Sequence, residues 1–151
     1  MLGLLNISEA MSIALHTCAW LADEPEKFHS ARQISAKLGF STHHFAKVVQ
    51  QLGRAGLLET ERGPAGGAKL AKKPKEISLL EIYVAAGGTP TYKGCLLKHN
   101  ICKGDGCALG SLMAKENKRL VSLLKNVTLD SVVRSLKKNR IANLDEGNKH
   151  A

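Results

Sequence analysis

Apolar side chains in the first part of the chain recur at helical steps. Ile7, Met11, Ala14, Leu15, Cys18 and Leu21 fall three or four residues apart, which predicts a helix over 7–22 with one buried face. Pro25 in "DEPEK" closes it, because a proline disfavours helical geometry in the residue before it. Ser30 with Gln33 three positions on is a capping-box opening, and Ile34 and Leu38 give the second helix its buried face before Gly39 stops it. Ser41 is placed to cap a third helix, "THHFAKVVQQLGRAG", buried through Phe45, Val48, Val49 and Leu52. Two short helices joined by so tight a turn predict a helix-turn-helix.

The period then changes. Leu57–Glu61 and Ala68–Ala71 are short strand candidates around a turn of Gly63, Pro64, Gly66 and Gly67. A hairpin directly after the second helix of such a motif is a wing. Ser78 with Glu81 opens another capped helix through "LLEIYVAA", terminated by Gly87, Gly88 and Pro90. Leu109, Leu112, Met113, Leu120, Val121, Leu123 and Leu124 fit a long amphipathic helix to about Asn126, with Lys115, Lys118 and Arg119 on its basic face. Thr128 caps a last short helix, "LDSVVRSLKK". The expected fold is mainly α with a small β-wing. It comprises a winged helix-turn-helix DNA-binding domain over 1–87, a cysteine-bearing loop over 88–108, a dimerisation helix and short terminal helix over 109–138, and a disordered polar tail over 139–151.

At 151 residues the chain is about one domain long and can bury a core without disulfides. Its formal charge is +9, with 22 basic against 13 acidic residues, and the excess is spread over the chain, which favours a polyanionic partner, nucleic acid first. No apolar run approaches the roughly 20 residues of a membrane span, and "MLGLLNISEAM" lacks the basic leader of a secretory signal. A cytoplasmic protein with no membrane partner is expected. There is no G-x-S-x-G, phosphate-binding glycine loop or H-E-x-x-H, so an enzyme is not expected. In a helix-turn-helix the second helix enters the major groove N-terminus first, so Thr42, His43, His44 and Lys47 face DNA, Ser41 suits a phosphate, and Arg54 lies farther along toward the backbone. Arg62, with Gly66 and Gly67 at the wing tip, is expected to reach the minor groove. Readers of this kind usually pair to match two half-sites, so the duplex operator and a second copy are the expected partners.

Three of the four cysteines, Cys95, Cys102 and Cys107, crowd into "CLLKHNICKGDGC" with C-x6-C-x4-C spacing. Thiols stay reduced in a cytoplasm, so such a cluster points to metal ligation or redox sensing. The glycine-containing loop suits an iron–sulfur cluster held by thiolates. Two alternatives stay open: a Cys3His zinc site using His99, and a metal-free switch in which Cys102 and Cys107 form a disulfide. A further class, an electron carrier, would need no wing and no positive excess. Cys18 falls on the apolar face of the first helix, as a core residue.

The segment "RQISAKLGFSTHHFAKVVQQLGRAGLLETERGPAGGAKLAKKPKEISLLEIYVAAGG" resembles the winged-helix core of the bacterial regulator family that includes IscR, NsrR, RirA and CymR. The pattern "L.RAGLL...RGP.GG..LA..P..I.L.E...." is matched from Leu52 to Glu81. With the cysteine loop and "NVTLDSVV" the similarity covers roughly 7–137. The resemblance implies a dimeric regulator, expected to be a repressor, that senses redox, nitric oxide or iron–sulfur status through a 2Fe-2S or 4Fe-4S cluster on Cys95, Cys102 and Cys107. The family's cysteine gaps are commonly nearer five and five, which puts most weight on the register of Cys102. A histidine three residues beyond the third cysteine is replaced here by Gly110. Relatives that take a fourth ligand from the first helix imply His16 for that role, with Glu9 one turn earlier and His99 in the loop as alternatives; Ser12 stands where an acidic residue is usual. The second wing strand has Ala68 and Lys69 where the family often has an aromatic.

Overall fold

The computed structural model describes residues 7–63, 67–90 and 107–137. Helix α1 spans Glu9–Leu21, α2 Ala31–Leu38 and α3 Thr42–Arg54; strands β1, Leu58–Glu61, and β2, Gly67–Leu70, form an antiparallel hairpin. A 3-10 turn at Pro74–Glu76 leads to α4, Leu79–Ala85, and later in the chain come α5, Ala108–Asn126, and a helical stretch over 129–137, α6.

Helix starts follow local hydrogen bonding. Ser8 Oγ accepts from the Met11 N–H, so α1 begins two residues later than the apolar repeat predicts and Ile7 is left half exposed before it. Ser30 with Gln33 and Ser78 with Glu81 form the two expected capping boxes. In the second, the Ser78 N–H holds the Glu81 carboxyl below its ordinary range, aided by Lys72 at 3.1 Å. That contribution to stability is present at neutral pH and is lost as the pH falls through the depressed value. Thr128 Oγ1 accepts from the Ser131 N–H at the head of α6, as expected. Ser41 differs: it occupies the cap position of α3, but its side chain makes no cap bond.

Gly39, at φ 71°, turns the chain between α2 and α3, a conformation that costs a residue with a Cβ and that glycine adopts freely. Ile13, Cys18 and Leu21 of α1, Ile34 of α2, and Phe45, Val48 and Leu52 of α3 meet in one core that Leu57, Leu70, Ile77, Ile82 and Leu129 complete. Thr17 is buried with them although the apolar repeat omits it. Leu57 precedes β1: its N–H closes the end of α3 on the Leu52 carbonyl, so the first strand starts one residue later than expected.

The wing is pinned at its base. Leu58 pairs with Leu70, Glu59 with Lys69, Thr60 with Ala68 and Glu61 with Gly67. A third segment joins from the α1–α2 connection, where His29 and Ala68 exchange both backbone hydrogen bonds, at 3.0 and 2.9 Å. At the other end of the domain, the Leu79 N–H donates to Val127 O and the Leu129 N–H to Ile77 O, tying the end of α5 to the start of α4.

Candidate nucleic-acid interface and cysteine loop

On α3 the buried residues Phe45, Val48 and Leu52 fix the helix rotation, and 100° per residue then sends His43, Lys47, Gln50 and Arg54 to the opposite face. All four are exposed. Ser41 and Thr42 are exposed at the head of the helix, and because Ser41 does not cap it, the first-turn N–H groups have no side-chain cap acceptor. Such a terminus is complementary to a phosphate. His44 does not join the stripe. It turns toward α1, where its Nδ1 lies 3.1 Å from Glu9 Oε2. Helical phase alone separates position 44 from 43 and 47, and that signal was available in the sequence; the Glu9 partner was not.

Arg62 follows β1 directly and is exposed. Gly66 lies outside the described residues. Gly67 has a packing reason for being glycine: a Cβ there would collide with the His29 carbonyl and stand 2.9 Å from Ser30 N. On β2, Ala68 points into the core while Lys69 folds across the sheet to Glu59, at 3.0 Å, with its ammonium 5.0 Å from the centre of the Phe28 ring. The lysine that departs from the family pattern is therefore held by the protein itself.

Cys95, Cys102 and His99 lie outside the described residues. Cys107 sits at the cap position of α5, exposed, with its Sγ accepting from the Gly110 N–H at 3.3 Å. Among the described residues no three His, Cys, Asp or Glu side chains converge as a metal site. His16, on the exposed side of α1, donates from Nδ1 to the Ser12 carbonyl at 2.7 Å, and its ring stands edge-on to Phe40. A carbonyl can only accept, so this bond puts a proton on Nδ1 and leaves Nε2 as the ring nitrogen that could ligate a metal. Metal-bound histidines are commonly oriented in that way. Glu9 is instead engaged by His44. Cys18 is buried, and burial pushes its thiol up to about 12, which removes it from thiolate chemistry near neutral pH.

Along α5 only Val121 is buried, while Leu109, Leu112 and Leu123 are 54, 54 and 56% exposed on a second face. No helix among the described residues is long and apolar enough to cross a membrane.

A two-helix reader with a pinned hairpin behind it, followed by a cysteine-bearing connection and a long helix, defines a winged-helix protein. The family model described as "Rrf2: Iron-dependent Transcriptional regulator" matches residues 7–135, and the chain belongs to that family. It is similar to the HTH-type transcriptional regulator NsrR of Shouchella clausii, with 34% identity over 79 residues, which is 52% of this chain and 53% of that protein. The matched region spans about half the length of the curated relatives. Among solved structures, the fold matches CymR, the global cysteine regulator of B. subtilis, with TM-score 0.74 and 22% identity over 87% of this chain and 98% of that one. It also matches T. potens IscR, with TM-score 0.72 and 22% identity over 89% and 90% of the two chains.

Proposed function

We propose that the protein is a DNA-binding transcriptional repressor that reads a duplex operator as a homodimer and responds to the state of an iron–sulfur cluster. The observation that carries the DNA reading is the α3 stripe of His43, Lys47, Gln50 and Arg54 beneath a helix terminus left uncapped. Lys47 and the free amides hold phosphates, His43 and Thr42 meet base edges, and Arg62 reaches the flanking groove. The exposed leucines of α5 are the faces that a second copy would cover, setting two α3 helices at a fixed separation.

For the sensor, Cys95, Cys102 and Cys107 are the proposed thiolate ligands, and His16, through Nε2, is the proposed fourth. A bound cluster would supply a redox-active, oxidant-sensitive centre. The Gly110 N–H bond to Cys107 Sγ is of the kind that tunes cluster potentials. Since Cys107 also begins α5, its position and the orientation of that helix are linked, and the backbone bonds of Val127 and Leu129 carry the helix's far end to α4. The exposure of Cys107 also supports a second reading, a thiol switch without metal.

The test is selection of bound sequences from a random duplex pool, followed by salt titration of Lys47→Ala and Arg62→Ala on the selected site. For every phosphate that a variant no longer neutralises, the salt slope should fall by about 0.9. Unchanged affinity of both variants at every salt concentration would remove α3 and the wing from the interface.

A further inference from the structure

The C-terminal end of α3, the outer face of α4 and the end of α5 enclose an open groove of about 870 Å³ that shares only Arg54 with the proposed DNA face and nothing with the proposed cluster site. Its floor is apolar, from Leu57, Leu80 and Val84, and Val84 is 48% exposed there although it lies on a helix inside the domain. Two cations, Arg54 and Lys125, stand among the lining residues, and neither has an acidic partner among the described residues. The one carboxylate in the lining among the described residues, Glu81, is already satisfied, by Lys72 at 3.1 Å and by the Ser78 N–H at 2.8 Å and hydroxyl at 2.9 Å. A concave apolar surface with uncompensated positive charge fits a ligand with an apolar body and an anionic head. Among the described residues no aromatic side chain lines it, so none of them would stack on a ring.

We infer that this groove binds an acyl-chain carboxylate, with the chain over Leu57, Leu80 and Val84 and the carboxylate between Arg54 and Lys125. Arg54 closes the exposed stripe of α3, so a carboxylate held on it neutralises a cation otherwise available to a DNA phosphate. Occupancy therefore weakens operator binding. That last consequence rests on the proposed DNA-binding function; ligand binding itself does not.

Octanoate is the probe, with octanol as its uncharged counterpart, measured by calorimetry on the full-length protein. Octanoate should bind with a dissociation constant of about 1 mM or tighter, and octanol at least about tenfold more weakly. Lys125→Glu, on an exposed helix position, should weaken octanoate about tenfold or more while DNA affinity without octanoate is retained. Val84→Arg, which fills the floor, should do the same. On the selected duplex, saturating octanoate should weaken binding of the unaltered protein by roughly fivefold or more. Equal binding of octanol, or octanoate binding unaffected by both substitutions, would overturn the site, as would no heat up to about 10 mM. Loss of a dimer in Val84→Arg by sedimentation would assign the groove to a second copy and equally overturn it. Octanoate binding in a protein that ignores duplex DNA would sustain the groove and refute the regulator reading instead.

Discussion

Serine in place of Cys95, Cys102 or Cys107 will each yield a colourless protein, essentially free of iron and sulfide, from anaerobic purification that gives coloured parent protein. The expectation follows from chemistry: a cluster needs thiolate at every ligand position, and a hydroxyl is a poor substitute at the pH of a cell. Cys107 is exposed at the head of α5, whereas Cys18 is sealed in the core with its thiol pushed up to about 12. Cys18→Ala should therefore keep its colour and lose only the stability of a small cavity, on the order of 1 kcal/mol. Native alkylation of the cluster-free protein should modify Cys107 and spare Cys18 until the chain unfolds. His16→Ala should shift the visible spectrum and speed cluster loss; an unchanged spectrum there, with a change in His99→Ala, would move the fourth ligand into the loop. A Cys102→Ser protein with full iron and colour would show that the middle ligand lies elsewhere, and colourless parent protein with one zinc would favour the Cys3His site.

The second large effect is expected at the wing. Gly67→Ala places a methyl group against the carbonyl of His29, locked by the His29–Ala68 hydrogen-bond pair, and the amide of Ser30, held by its bond to Gln33 Oε1. Flexible side chains could swing aside, but these atoms cannot, so the cost should be that of forced overpacking, about 1–3 kcal/mol. Urea unfolding should register that loss, and operator affinity should fall because Arg62 and β1 are displaced with the hairpin. Gly39→Ala makes a useful contrast. It meets no atom within 4 Å and suffers only from its positive φ, a penalty of about 1 kcal/mol. Equal stability of Gly67→Ala and the parent would mean that the wing base is not clamped.

Local hydrogen-bond chemistry was the most legible layer of the sequence. Ser30 with Gln33, Ser78 with Glu81, and Thr128 announce helix starts because each donor and acceptor lies within one turn, and all three are found. Ser41 has the same residue type in the same position without the bond, whereas Ser8 and Thr128 cap their helices with no Gln or Glu three residues on, so residue type at the cap position did not by itself announce the bond. The apolar repeat located α1 but drew Ile7 into it and omitted Ile13 and Thr17 from the buried set, because α1 is enclosed over more than the one stripe such a repeat detects. Contacts between elements were not legible. The Glu9–His44 pair, the His29 strand on the wing and the Lys69–Glu59 bond each join residues whose proximity only the fold creates. In α5 the pattern showed a wide apolar face but could not divide it into a packed edge at Val121 and an uncovered one at Leu109, Leu112 and Leu123.

Whether cluster state sets DNA affinity through this one chain is decided by titrating a single selected duplex with anaerobic cluster-bearing protein and with the same preparation after its cluster is removed, at one fixed salt concentration. The two dissociation constants should differ by about tenfold or more, with the difference abolished in Cys107→Ser. Equal constants for the two forms, in protein whose Lys47→Ala variant does lose affinity, would leave a DNA reader in which the cysteine loop senses nothing.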